Sequence, residues 1–186
     1  MGPLRLALES TVISLDPAEA GDAVSRRVTA AIFDTLVDWS AGDELQLRPE
    51  ILRALPEVSA DGLQMTLTVR DGPDARRFAA DTCLGGQARR ILASDVAASL
   101  GRIDPARHAA HALIAGRFAA IAHDDARNTV TLQLTRPQPE LPAILASPML
   151  AISPPECVAF YDGRDADHPP FARHPVGSGP YVLDHA

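Results

Sequence analysis

Residues 11–39 read TVISLDPAEAGDAVSRRVTAAIFDTLVDW, which divides into an extended lead-in, a proline stop, a loop of small residues and a periodic segment. Apolar residues recur at every fourth position of the last part, at Val24, Val28, Ile32 and Leu36. This spacing places them on one face of a helix, which we predict from Val24 to Asp38. Pro17 ends the lead-in because its ring fixes φ and it has no N–H to donate.

The loop before this helix, Ala20 to Ala23, carries almost no side-chain bulk. A bare backbone next to a helix start suits either a tight structural turn or contact between the backbone and a ligand. The residues alone favour the tight turn and leave the ligand contact open.

The chain has 186 residues, enough for one domain with a real core or for a domain with a small subdomain. Hydrophobic residues make up 46% and charged residues 22%, which is typical of globular proteins. No apolar run approaches the roughly 20 residues that span a bilayer. The first ten residues, MGPLRLALES, lack the basic and apolar regions of a secretory signal, so we expect either a cytosolic protein or a signal removed before Met1.

The formal net charge is -7, from 17 basic and 24 acidic residues, and the basic residues are scattered along the chain. Binding to a nucleic-acid phosphate backbone is therefore not expected. All the basic residues are arginines, which excludes a phosphate-binding P-loop lysine, a Schiff-base lysine and a catalytic Ser-Lys pair.

Cys83 and Cys157 are too few for a disulfide framework and too far apart in sequence for a local metal site. They fit two states, free buried thiols or a pair formed in an oxidising compartment.

Two segments alternate strictly between apolar and polar residues and are predicted as strands, Leu63 to Arg70 and Thr129 to Thr135. Further strands are predicted up to Leu15, at Arg117 to Ala122, at Met149 to Ile152 and after the glycine-rich turn in Val176 to Leu183. Further helices are predicted from a cap at Ser94 or Asp95 to Ile103, then at Ala106 to Gly116, Leu141 to Ala146 and Glu156 to Tyr161. Irregular chain is predicted at Ser40 to Asp43, at Pro73 to Arg90, where we allow a hairpin, and at Asp162 to His174.

Five pieces follow one another along the chain. They are LDPAEA before a helix with IFDTLV, LRPEILRALPEVSADGLQMTLTVRDG, LASDVAASLGRIDP, NTVTLQLTRPQPELPAILASPMLAISPPE and VGSGPYVL. In order, spacing and chemistry this series resembles the oligopeptide-, dipeptide- and nickel-binding family of solute-binding proteins, extracellular solute-binding family 5, which serves ATP-driven importers. The resemblance covers nearly the whole chain.

The resemblance implies a mixed α/β fold, namely an incomplete periplasmic-binding-protein-like class II lobe with a smaller β-rich accessory subdomain. It divides the chain into a lobe core, residues 1–33 and 149–186, and an accessory subdomain, residues 34–148. It also implies a periplasmic or extracytoplasmic receptor that binds a small peptide or other small solute and docks on a membrane permease. Such a receptor is not an enzyme, needs no cofactor and binds no nucleic acid.

Two departures from the family pattern bear on these expectations. The segment after the RDG motif, residues 71–95, is longer than usual and keeps only Phe78 as an aromatic residue. The chain ends at Ala186, just past GSGPYVL, where family members continue into a second lobe. We therefore expect a truncated N-terminal lobe with little affinity of its own for a solute.

The same resemblance implies ligand contacts at seven positions: Ala20, Gly21, Asp22, Ala23, His111, Ser178 and Gly179. The alternatives are a tight turn at the loop, a packed or solvated helix histidine at His111, and a structural glycine turn at Ser178–Gly179. His108 and His111 are three residues apart on a predicted helix, but without a nearby carboxylate or cysteine they make a poor metal site, so no metal is predicted.

Two rival functions remain at this point. One is a hydrolase or transferase with its site in the polar segment Pro73 to Arg90. The other is the sensory ligand-binding domain of a transcriptional regulator, because the same receptor fold occurs fused to DNA-binding segments.

Overall fold

The computed structural model describes residues 5, 7–40, 45–163 and 170–183 of the chain. Its helices are α1 (Ala23–Ile32), α2 (Ala93–Gly101), α3 (His111–Ile114), α4 (Leu141–Ile144) and α5 (Pro155–Asp162). Its strands are β1 (Val37–Trp39), β2 (Leu47–Pro49), β3 (Glu57–Val58), β4 (Gln64–Thr68), β5 (Arg77–Phe78), β6 (Arg89–Arg90), β7 (Phe118–Asp124) and β8 (Thr129–Leu134). Within the described ranges, every helix is too short or too polar to cross a lipid bilayer.

The largest sheet has the strand order β3-β4-β8-β7, with each neighbouring pair antiparallel. Met65 of β4 lies opposite Leu132 of β8, and Leu67 lies opposite Val130. All four side chains are fully buried. The two strands with the clearest alternation are therefore confirmed, because their apolar positions form one face of this sheet.

Helix α2 covers that face by packing on β7 and β8. It begins at Ala93, one or two residues before the predicted cap. Asp95 still stabilises the helix start, since its carboxylate accepts the backbone N–H of Leu92 at 2.8 Å. Val96 and Leu100 lie on the buried side of α2, as the spacing predicts.

The prediction that α1 extends to Asp38 was wrong, because the helix ends at Ile32 and the chain becomes extended at Phe33. The carbonyl of Ile32 accepts the N–H of Gly179 at 2.8 Å, which replaces the next helical hydrogen bond. Beyond it, Leu36 accepts hydrogen bonds from the N–H groups of Glu50 and Leu52, and Val37–Trp39 pairs with β2. Hydrogen bonds from distant segments therefore outweigh the fourfold apolar spacing.

Other segments also differ from the predictions. The predicted strand Met149–Ile152 is replaced by a 3-10 turn at Pro148–Leu150 and extended chain after it, because Pro148 starts the turn and Ala151 closes it. The predicted helix Ala106 to Gly116 is reduced to α3, and neither the lead-in before Asp16 nor residues 176–183 form a strand. Pro73 to Arg90 does contain a hairpin, the pair β5 and β6. The predictions for residues 41–43 and 164–169 lie outside the described residues.

The buried side chains form two clusters. The larger cluster includes the sheet, α2 and α4, and the smaller one includes Ile32, Phe33, Tyr161 and Phe171. The division into residues 1–33 with 149–186 and residues 34–148 stays a prediction.

A disulfide between Cys83 and Cys157, with the Cα atoms 5.0 Å apart, decides the question that the sequence left open. It joins the turn after β5 to α5. Next to it, the guanidinium of Arg89 contacts Asp95 at 2.8 Å and Glu156 at 2.6 Å. The unusually long segment after the RDG motif is thus held to α5 by a covalent bond and by the ion pair between Arg89 and Glu156.

Candidate functional site

The turn before α1 is built around Asp16. Its carboxylate accepts the N–H of Ala18 at 3.0 Å, and its backbone carbonyl accepts the N–H groups of Glu19 and Ala20, both at 3.1 Å. Ser14 donates its hydroxyl proton to Glu19 at 2.9 Å. These short-range bonds close the chain into a compact turn whose last residue, Ala20, is fully buried.

The next three residues join this turn to α1. Gly21 donates its N–H to the carbonyl of Glu19, and its own carbonyl accepts the guanidinium of Arg26. Asp22 is the N-cap of α1, and its carboxylate accepts the N–H of Ser25 at 2.8 Å. The hydroxyl of Ser25 and, after it, this N–H hold the pKa of Asp22 below its usual value. Ala23 is exposed at the first helical position. The polar groups of Gly21 and Asp22 therefore have structural partners already, which favours the tight-turn interpretation for these two residues.

The loop packs on the segment that leads into α3. A Cβ atom on Gly21 would lie 3.0 Å from the Cβ of Ala109, and Ala110 donates its N–H to the carbonyl of Ala18 at 3.0 Å. His111 follows as the first residue of α3 and is partly exposed. We call Gly21, Ala23, Ala109 and His111 the loop surface. The structure thus places the predicted loop and His111 on neighbouring segments.

A buried ion pair between Arg102 and Asp16 anchors the turn that carries the loop surface. Arg102, the C-cap residue of α2, donates from both terminal nitrogens to the carboxylate of Asp16, at 2.8 and 2.6 Å. The side chain of Asp16 is only 4% exposed. This planar two-bond contact fixes the loop relative to α2, because both carboxylate oxygens are held at once.

Carboxylates also lie near His108, contrary to our expectation. Ligand atoms of Asp16, Glu19 and His108 are all within 4.8 Å of one another. Nδ1 of His108 accepts the N–H of Asp104 at 2.8 Å, so a neutral ring carries its proton on Nε2. A metal ion would need a free lone pair on the histidine ring, and the carboxylate of Asp16 is already hydrogen-bonded to Arg102. The group is better suited to hydrogen bonding than to metal binding.

Ser178 and Gly179 lie at the other end of α1. A Cβ atom on Gly179 would come within 2.7 Å of the carbonyl carbon of Ile32, so glycine is required there by close backbone approach. A helix of 10 residues is roughly 15 Å long, which separates this turn from Asp22. The seven predicted contact residues therefore fall into two groups at opposite ends of α1.

The sequence reasoning missed a cleft beside the second group. This acidic cleft is lined by the carboxylates of Asp34, Asp38 and Glu50, by Arg48 and by the apolar Phe33 and Pro148, among others. Asp34 falls within the helix that we predict from Val24 to Asp38, and only the early end of α1 brings it into the cleft. The acidic residues alone give no signal of this arrangement, since their partners are distant in sequence.

Asp81 of the predicted hydrolase segment pairs with a histidine from outside that segment, with Oδ2 of Asp81 3.0 Å from Nε2 of His174. Tyr161 donates its hydroxyl proton to Asp81 at 2.6 Å. Burial opposes ionisation of Asp81, but the bonds from Tyr161, the N–H of Cys83 and His174 together hold its pKa below the usual value. The nearby hydroxyl of Thr82 contacts Tyr161 and Asp81.

Comparisons with known proteins bear on the chain as a whole. The family model for bacterial extracellular solute-binding proteins, family 5 Middle, matches residues 46–186. The glutathione-binding protein GsiB of Escherichia coli O1:K1 is 31% identical over 182 residues, which cover 96% of this chain and 31% of that protein. The protein of the same name from strain K12 is 30% identical over the same length.

Solved structures give the same result. The periplasmic binding protein DppA from Helicobacter pylori, in complex with the peptide STSA, has a TM-score of 0.76 and 25% identity, over 93% of this chain and 35% of that one. A dipeptide-binding protein from Pseudoalteromonas sp. SM9913 in complex with Met-Leu has a TM-score of 0.80 over 96% of this chain and 36% of that one. At 18% identity the second match shows the fold alone. The periplasmic-binding-protein-like fold is confirmed, and the chain spans about a third of the length of the proteins it matches.

Proposed function

The chain belongs to the bacterial extracellular solute-binding proteins of family 5, and we propose that it forms part of a receptor that delivers a peptide-class solute to an ATP-driven importer. The observation that carries the proposal is the family match over residues 46–186, together with a loop held rigidly at the start of α1. The names of its relatives, a glutathione-binding protein and a binding protein in complex with a peptide, support the choice of solute class.

In this proposal the loop surface faces the solute. Gly21 and Ala109 keep that surface free of bulk, because a side chain on Gly21 would meet Ala109 at 3.0 Å. His111 supplies a polar ring at its edge, and Ser178–Gly179 acts by holding the end of α1 rather than by touching the solute. Asp16 and Arg102 fix the loop before the solute arrives, which lowers the cost of binding.

The proposed setting is outside the cytoplasm, with a membrane permease as the partner. The Cys83–Cys157 disulfide supports an oxidising compartment, since such bonds persist mainly there. One lobe encloses only one side of a solute, so we propose weak binding by the 186-residue chain alone.

The test is a titration of the isotope-labelled chain with glutathione and, separately, with a pool of di- to pentapeptides, followed by amide NMR shifts. We expect shifts at Gly21, Ala23, Ala109 and His111, with a dissociation constant in the millimolar range. The variant His111→Ala should weaken binding, whereas His123→Ala, at an exposed position on β7, should not. Shifts confined to other surfaces would refute the loop surface, and submicromolar binding would refute the weak affinity.

No contact among the described residues favours the sensory domain or the hydrolase as a second function. The Asp81–His174 pair is bonded to Tyr161 of α5, which fits a structural role, and the sensory-domain alternative rests on fold analogy only.

A further inference from the structure

The acidic cleft is separate from the loop surface. It lies between the end of α1, strands β1 and β2 and the turn at Ala146–Pro148, and its volume is about 280 Å³. The length of α1 separates it from the N-cap residue Asp22. No role proposed above uses its carboxylates.

Two of the three carboxylates in the cleft have close partners. Asp38 is 2.8 Å from Arg48, and Glu50 contacts Arg76. Asp34 differs from them. Its side chain is only 10% exposed, and its buried Oδ2 accepts no hydrogen bond. Nε of Arg76 is 3.9 Å from that oxygen, beyond hydrogen-bond distance.

A buried carboxylate oxygen without a donor is costly and rare in folded proteins. Burial raises the pKa of Asp34, and the Arg76 guanidinium and the Ser178 hydroxyl act against that shift without reversing it. A ligand that brought N–H donors and positive charge would remove the cost. The carboxylate of Asp34 thus offers what a cation-binding group needs, a negative charge and an oxygen that lacks a hydrogen-bond donor.

The spacing of the groups indicates which kind of cation fits. Asp34, Asp38 and Glu50 do not form one of the tight clusters, with ligand atoms within 4.8 Å, that a metal ion needs, and the only such cluster in the described residues is at Asp16, Glu19 and His108. The cleft also has apolar walls, from Phe33 and Pro148. Separated carboxylates with apolar walls suit an ammonium group on a short aliphatic body.

We propose that the acidic cleft binds a small organic cation, a primary ammonium on a short aliphatic chain, whose N–H groups donate to Asp34. The site does not depend on the proposed receptor function, because it lies at the opposite end of α1 and involves none of the loop-surface residues.

The first test uses the wild-type chain with 1,4-diaminobutane as the probe and 1,4-butanediol as its uncharged counterpart. Amide NMR shifts should saturate and should centre on Asp34, Thr35, Asp38 and Ala146, with a dissociation constant of about 1 mM or lower, whereas the diol should cause none. Shifts spread over exposed acidic residues, or equal effects of the diol, would overturn the proposal.

The second test compares two variants that each remove one negative charge. Asp34→Asn should weaken diamine binding by about tenfold or more, since it loses a charge-assisted hydrogen bond, while Glu57→Gln on the exposed strand β3 should change it less than twofold. Asp34→Asn keeps the size and shape of the side chain, so the variant should remain folded, as circular dichroism can check. Equal affinity in both variants contradicts the proposal, and if Asp34→Asn does not fold, the wild-type shift map decides.

Discussion

Replacing Arg102 by Met should destabilise the chain strongly and loosen the loop before α1. The change keeps the length of the side chain and removes its charge, which leaves the carboxylate of Asp16 buried at 4% exposure with the N–H of Ala18 as a remaining donor. Breaking a fully buried ion pair costs about 3–5 kcal/mol, and because Arg102 is 19% exposed we expect the lower end, about 3 kcal/mol. For a chain of this size that loss lowers the Tm by roughly 6–12 °C.

Urea unfolding, followed by the fluorescence of Trp39, the single tryptophan, measures the free-energy change. Hydrogen exchange at Ala110, whose N–H bonds to the carbonyl of Ala18, reports the loop locally and should become faster than exchange in β8. The double variant Asp16→Asn, Arg102→Met should recover at least half of the lost stability, because no unpaired charge remains buried. A loss below about 1 kcal/mol for Arg102→Met, or a double variant no more stable than the single one, would refute the reasoning.

The Cys83–Cys157 disulfide joins residues 74 positions apart in sequence, and reducing it should lower the free energy of unfolding by up to about 4 kcal/mol. Urea unfolding with and without reductant measures this change as a shift of the midpoint, and an unchanged midpoint would contradict the prediction. Arg89→Lys should cost about 1–2 kcal/mol by calorimetry, because lysine cannot make the paired contacts with Glu156, and a neutral result would show that the ion pairs contribute nothing. The pKa of Asp81 is lowered in the folded state, so its contribution to stability is present above its ordinary pKa of about 3.9 and is lost as the pH falls through the lower folded value. Asp81→Asn should therefore flatten the dependence of Tm on pH below about pH 4, and a profile as steep as that of the wild type would contradict the assignment.

The sheet could be predicted from the sequence because its signal is local. In Leu63–Arg70 and Thr129–Thr135 every second residue is apolar, and a strand buried on one face requires that period. The start of α1 was predicted to within one residue, at Val24 instead of Ala23, because the apolar spacing begins there, but the capping bond of Asp22 was not foreseen.

The end of α1 could not be predicted in this way. Leu36 continues the helical spacing of Ile32, yet it accepts hydrogen bonds from Glu50 and Leu52, and Gly179 takes the carbonyl at the helix end. These partners are far away in sequence, so no window around the helix contains the information. The acidic cleft was missed for the same reason, because it forms only where α1 stops.

The candidate site was predictable in part. The bare loop Ala20–Ala23 and His111 were identified from their place in the motif order, and the structure brings their segments together through Ala110 and Ala18. The contact between Arg102 and Asp16 was not foreseen, since an ion pair between residues 86 positions apart leaves no local pattern.

The disulfide can form only after both of its cysteines have been synthesised. Cys83 emerges well before Cys157, so its thiol must wait, reduced and partly exposed, until α5 has followed. The segment between β5 and β6 therefore gains its covalent attachment late, after the strands of the main sheet have all been made. A host that keeps its cytoplasm reducing will yield the chain without this cross-link, and an oxidising host will yield it closed.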